Sequence, residues 1–342
     1  MKKPTMLLLL LLPGVSLFAY QAGHLAIATT DFRGHAWYPT NETVEEKEKR
    51  YLPLPFTKKV RVIEGASLPQ GKGFPLVLIS HGILGRETSY SWLATELARK
   101  GYIVIAPHHT DQSREDLKEI ELFRFWKRPR VISKAIDWAL SAESLRNGVN
   151  PGEIYFIGHS VGGHTGLMLA GLPFDIQAVM ASSDTSLSRN KLAMRMKKAA
   201  IVEKPSAEDL AENGKSYRDD RIRKFILLDP TPIYPGFSEQ AFTNLDKPMM
   251  YVGSSLSEIF NSDWVKGEIT RLNPTITTEE THAGHFVFAD EGTWLGRLML
   301  HGVFVDANGI DRAQVHTVLL ESVDKFFRGH NPAIRSQEKP VR

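Results

Sequence analysis

Ile154-Tyr155-Phe156-Ile157-Gly158-His159-Ser160-Val161-Gly162-Gly163 is the stretch whose reading decides the fold. Ile154–Ile157 is a short apolar run of the kind that forms a buried strand, and Gly163–Ala170 behind it reads as a helix. Between them Ser160 stands in a G-x-S-x-G pattern. Such a pattern suits a sharp strand-to-helix turn that presents a serine hydroxyl at the edge of a sheet, where only small neighbours tolerate the backbone crowding. The helix N-terminus behind it favours developing negative charge. Ser160 is therefore the candidate nucleophile. A glycine turn with no chemistry leaves the strand before it, the helix after it and the additional Gly163 unexplained.

The rhythm extends on both sides. Leu76–Ser80 and Tyr102–Ala106 are apolar β-type runs, each closed by a turn residue, with the helical spacing of Trp92–Arg99 between them. Val131–Leu140 reads as an amphipathic helix ahead of the Ser160 strand. Phe225–Leu228 and Met249–Val252 are further strands, Thr275–Thr278 a last one, and Val315–Phe327 a closing helix. Strands alternating with helices imply a mostly parallel central sheet with helices on both faces, an α/β architecture. Upstream, residues 20–75 form an approach segment with one strand at Gly34–Tyr38, and the charged run Glu42–Arg50 reads as a solvated turn or helix face. Between about 172 and 222 the rhythm breaks into a stretch rich in charge and serine. It reads as a cap-like insertion over the sheet, or as a solvated excursion with no direct role. Within it, 190–203 reads as a basic amphipathic helix able to meet an anionic surface. The single domain thus spans 20–330, with 331–342 as a loose tail.

A serine hydroxyl needs a base. On a sheet of this type the base comes late in the chain, after the last strand. His282 and His285 both lie there, in Thr281-His282-Ala283-Gly284-His285-Phe286. His285 is favoured, because it follows a flexible Ala-Gly step and precedes the apolar anchor Phe286-Val287-Phe288. The base in turn needs a carboxylate to fix its tautomer. Asp229 ends the Phe225–Leu228 strand and keeps the order serine, acid, histidine; Glu258 and Asp263, after the next strand, remain open. For the oxyanion of acyl transfer, the expected donors are the N–H of Val161 and that of Ile83, in Ser80-His81-Gly82-Ile83-Leu84-Gly85 after an early strand. The other histidines, His159 and His164 among them, read as structural or surface residues. His108-His109 with Asp111 is a poor metal set, since adjacent side chains on extended chain point apart.

The chain has 342 residues, 42% hydrophobic and 24% charged, which is enough to bury a sizeable core. A net charge of +3 gives no reason to expect a nucleic-acid partner. Without a single cysteine it has no disulfide, no thiolate nucleophile and no cysteine-based zinc site. Lys2 and Lys3 precede the apolar run Met6–Leu12, and Pro13-Gly14 interrupts it before Val15–Ala19. This is short against the roughly 20 residues of a spanning helix, so 1–19 reads as a signal peptide cleaved after Ala19, or else as a retained anchor. Export to a periplasm or to the medium follows.

Several of these segments together resemble a known family. Phe74–Gly82, Thr88-Ser89-Tyr90, Glu96-Leu97-Ala98 and Gly101–Pro107 look like bacterial relatives of platelet-activating factor acetylhydrolase, often grouped with dienelactone hydrolases; Trp37-Tyr38-Pro39, Gly158–Gly163, Phe225–Pro230 and Ala283–Phe286 match the same pattern. The resemblance implies the α/β-hydrolase fold, Ser160, Asp229 and His285 as triad, Ile83 and Val161 as oxyanion donors, and no cofactor. It also implies cleavage of short-acyl or phospholipid-type esters. The chain departs from the family in its long 172–222 region, in Val161 where an aromatic residue is common, and in Glu258 near the place of an aspartate. The rival expectations are a general carboxylesterase, thioesterase or lactonase of the same fold, and a non-catalytic binding protein on a hydrolase scaffold.

Overall fold

A computed structural model describes residues 20–51, 55–109, 121, 124–181, 206–231, 236–259 and 261–329. Ten strands form one sheet in the order β10-β9-β8-β7-β5-β6-β2-β1-β4-β3. Its centre is β5 (Phe74–Ser80), β6 (Ile103–Pro107), β7 (Val149–His159), β8 (Ile222–Leu228), β9 (Met249–Ser254) and β10 (Thr277–Thr281), all mutually parallel. Period-two alternation of uniformly apolar strands makes a two-sided sheet. Leu76 and Leu78 of β5, Ile103 and Ile105 of β6, and Phe225 and Leu227 of β8 enter one core. Val77 and Ile79, Val104 and Ala106, and Ile226 and Leu228 enter the other. On the first face pack α2 (Lys127–Ser141), α3 (Val161–Leu169) and α4 (Ser262–Leu272); on the second pack α1 (Ser91–Arg99) and α5 (Arg312–Phe327). This is the layered α/β architecture expected from the sequence.

The approach segment differs from expectation. It holds four strands: β1 (Gln21–Ala28), β2 (Arg33–Thr40), β3 (Lys47–Lys49) and β4 (Val60–Glu64). The β2 strand joins the parallel centre through an antiparallel pairing with β6, and β3 lies inside the charged run that read as a turn or helix face. There, lysine and glutamate on a short edge strand keep it soluble while its backbone pairs with β4. Of the expected cap, residues 172–181 and 206–222 are described, including short helices Ile176–Ala181 and Ala207–Glu212. The second is tied to the body by Arg124, which donates to Asp209 at 2.8 Å. The basic stretch 190–203, the leader 1–19 and the tail 331–342 lie outside the described residues. Among the described residues no helix is long and apolar enough to cross a membrane.

Candidate active site

Crowding at the elbow dictates its glycines. A Cβ on Gly158 would stand 2.2 Å from the Gly162 carbonyl oxygen, and one on Gly162 would stand 2.0 Å from that of Ser80. Ser160 itself is held at φ 56°, capping α3. Among the described residues the only non-glycine residues at positive φ are Leu84, Ser160 and Asp229. They lie in the loop after β5, at the candidate nucleophile and at the candidate acid. Strain of this kind costs about 1–3 kcal/mol per residue and gathers at functional sites.

Asp229 leaves β8 at φ 40°, its N–H still bonded to the Val252 carbonyl at 2.8 Å. The backbone twist turns its buried carboxylate along the sheet edge, where Oδ2 accepts from His285 Nδ1 at 2.6 Å. Its other oxygen accepts from the Ser254 N–H and from the Ser262 hydroxyl, each at 3.3 Å. An ionised carboxylate can only accept, so Nδ1 of His285 carries the proton and Nε2 is the basic nitrogen.

The alternatives fall elsewhere. Glu258 accepts from the backbone N–H of His285 at 3.1 Å, so it steadies the loop and leaves the ring to Asp229. Asp263 sits in the first turn of α4, where an acid suits the helix dipole. His282 is exposed and bonds Ser255 through Nδ1 at 3.0 Å. The loop after His285 is fixed further on: His316 donates to the Val287 carbonyl at 2.7 Å, and the Trp92 indole donates to that of Phe288 at 2.9 Å. Asp290, buried and pushed up to about 6 by that burial, accepts from the Trp92 N–H at 2.9 Å and the Ser91 hydroxyl at 2.7 Å, capping α1.

The donor side is built as tightly. A Cβ on Gly82 would come within 3.1 Å of Ser160 Cβ, so the loop bearing Ile83 abuts Ser160. Buried Arg128 donates to the His81 carbonyl at 2.6 Å, and His81 Nδ1 donates to the Gly82 carbonyl at 2.7 Å while its Nε2 accepts from the His109 N–H at 3.2 Å. Burial, then the charge of Arg128, lowers the His81 pKa to about 3 and keeps that ring neutral. His109 bonds Ser80, and His108 bonds Glu87 and Arg33, so the pair that read as a poor metal set supports strand and loop; Asp111 lies outside the described residues. Val161 is the first residue of α3, so its N–H has no intrahelical acceptor.

Asp229 and His285 are thus joined directly, and Ser160 is docked on the acid's strand by its N–H to the Leu228 carbonyl at 2.9 Å. The Ser160 hydroxyl bonds that of Thr231, with oxygens 3.2 Å apart. Thr231 was absent from the sequence reading. Only the third position of Asp229-Pro230-Thr231, a turn that brings the acid to the histidine, could have pointed to it.

The family described as platelet-activating factor acetylhydrolase, isoform II, matches residues 48–121. Cutinase est1 of Thermobifida alba is 28% identical over 117 residues, which are 33% of this chain and 36% of that protein. Cutinase 2 of Thermobifida cellulosilytica is 26% identical over 122 residues, 35% of this chain and 43% of that protein. The chain therefore spans less than half the length of these relatives. A solved ferulic acid esterase from Streptomyces cinnamoneus superposes with a TM-score of 0.57 over 96% of this chain and 95% of its own, at 17% identity. At that identity the likeness concerns the fold.

Proposed function

We propose that this chain, a platelet-activating factor acetylhydrolase-like member of the α/β-hydrolases, is a serine hydrolase of carboxylic esters that works through an acyl-enzyme. The observation that carries the reading is the 2.6 Å bond between buried Asp229 and His285 Nδ1, beside an elbow serine held at φ 56°. On approach of an ester the Ser160 hydroxyl turns from Thr231 to His285 Nε2, which takes its proton as Oγ attacks the carbonyl. Negative charge on the carbonyl oxygen is met by the N–H groups of Ile83 and Val161. The imidazolium, balanced by Asp229, then protonates the leaving alcohol, and water releases the acyl group by the reverse sequence. The family likeness favours short-acyl or phospholipid-type esters, and the leader favours an exported enzyme.

The test is covalent labelling of Ser160 by a fluorophosphonate, together with turnover of chromogenic esters graded in acyl length. Ser160→Ala should abolish labelling and cut turnover by at least about a thousandfold. Unchanged turnover in that variant ends the proposal, and repeated failure of the wild type to label points instead to a binding protein on this scaffold. A preference for thioesters, lactones or long acyl chains would keep the serine mechanism and replace the substrate class.

A further inference from the structure

One buried imidazole next to the nucleophile has no part in the chemistry above. His159 precedes Ser160, and both its nitrogens are engaged. Nε2 lies 3.0 Å from the carbonyl oxygen of His285, and Nδ1 lies 2.6 Å from the Tyr90 hydroxyl. A carbonyl only accepts, so Nε2 bears the proton; Nδ1 must then accept from Tyr90. The tautomer is fixed by its neighbours. The ring also packs against that of His285, with centroids 4.4 Å apart, and against Phe288 at 5.5 Å.

Three segments meet at this ring. Tyr90 is the residue on which α1 starts, just after the loop bearing Ile83. His159 lies at the end of β7, and His285 opens a single 3-10 turn, His285–Phe288. With Glu258 holding the N–H of His285 and His159 holding its carbonyl, the backbone of that residue is gripped on both sides, and its ring is gripped by Asp229.

We infer that His159 is a positioning residue for the base: a neutral bridge from Tyr90 to the His285 carbonyl that sets where the His285 imidazole stands relative to Ser160. The inference rests on the serine hydrolase reading. A displacement of about 1 Å between reacting groups is enough to cost about a hundredfold in rate. Losing the bridge releases the end of the turn from which the imidazole projects.

The test compares His159→Phe, His159→Gln and Tyr90→Phe on a short-acyl chromogenic ester and on fluorophosphonate labelling. His159→Phe should lower kcat by about ten- to a hundredfold with KM within about twofold, and labelling should slow in proportion. The Gln amide nitrogen can donate where Nε2 does, so His159→Gln should recover most of the loss. Tyr90→Phe, which leaves the ring but frees its tautomer, should fall between. A kcat within twofold of wild type in folded His159→Phe, or equal loss in the Gln and Phe variants, overturns the inference. If His159→Phe does not fold, the other two variants decide by the same criteria. A wild type that neither labels nor hydrolyses overturns the hydrolase reading itself, and a wild type that does both while these variants match it overturns only the bridge.

Discussion

His159 and His164 flank Ser160, one residue before it and four after it, and both are almost wholly buried. Burial holds both rings neutral, driving His159 well below the usual imidazole range and His164 down to about 3, the latter helped by the charge of Arg128. There the likeness ends. Both nitrogens of His159 have partners, whereas neither nitrogen of His164 has one among the described residues. His164 sits among Phe125, Phe174 and Phe237, with ring centroids 5.0, 4.4 and 4.6 Å away. The same side chain at the same depth is a tool where its polar atoms are satisfied and a cost where they are not, because an unmade buried hydrogen bond costs about 1–3 kcal/mol.

Acid should erase that difference, and with the largest effect. Unfolded histidines protonate near 6.5, whereas His24 and His316 are lowered by burial to about 4, and His81 and His164 to about 3. Between pH 6.5 and those values the unfolded chain binds more protons than the folded one, so stability present above 6.5 is lost as pH falls. At pH 5 each of the four withdraws about 2 kcal/mol, and His109 and His159 act in the same direction. Asp290, raised to about 6, works the opposite way, gaining about 1.4 kcal/mol by pH 5. The net loss approaches the whole stability of an ordinary domain. Urea unfolding followed across pH should show the midpoint collapsing between about pH 6 and 4. A flat profile over that range would mean these rings are not held neutral.

At neutral pH the two histidines should part company. His164→Leu removes two unsatisfied nitrogens from an aromatic nest and should stabilise the fold by about 1–2 kcal/mol, rising further at pH 5 because one acid-labile ring is gone. His159→Leu strands the Tyr90 hydroxyl and the His285 carbonyl and should destabilise it by a similar or larger amount. Denaturant midpoints of the two variants measured side by side give the signs. If both lose stability equally, the distinction between satisfied and orphaned imidazole fails.

How much of this could be read from the sequence follows from how far each partner lies along the chain. The central strands and the elbow were legible because an apolar run flanked by turn residues is a local signal, and the Gly158–Gly163 spacing encodes a backbone crowding that the structure reproduces. The order of serine, acid and histidine was expected from the fold type, since no local signal spans residues 160 to 285. The choice among Asp229, Glu258 and Asp263 was not: all three follow strands, and only the φ 40° twist at Asp229 sends its carboxylate to the ring while Glu258 reaches the backbone. The strands β3 and β4 were missed because their sequences mix charge with apolar residues, and β1 because Gly23 and His24 interrupt its apolar run; what stabilises them is pairing, β1 with β2 and β4, and β3 with β4. His159 and Tyr90 are 69 residues apart, and Ser160 and Thr231 are 71 apart; no local pattern announces such a contact.

Partnership can also restrain a group. Thr231 is the partner of the Ser160 hydroxyl, and its backbone N–H also bonds the Ser160 carbonyl at 3.2 Å, so the threonine cannot drift from the elbow. Its hydroxyl holds the Ser160 oxygen, which in the proposed mechanism turns to His285 Nε2. One neutral hydrogen bond has a net worth of about 0.5–1.5 kcal/mol, which corresponds to a rate effect of about two- to tenfold. Thr231→Val keeps the shape, removes that hydrogen bond and should raise the second-order rate of fluorophosphonate labelling by that factor, while Thr231→Ser should stay near wild type. This is the smallest of the expected effects, but its sign is informative. Faster labelling makes Thr231 a restraint on an otherwise complete site. Slower labelling would make its hydroxyl a donor that assists the attack.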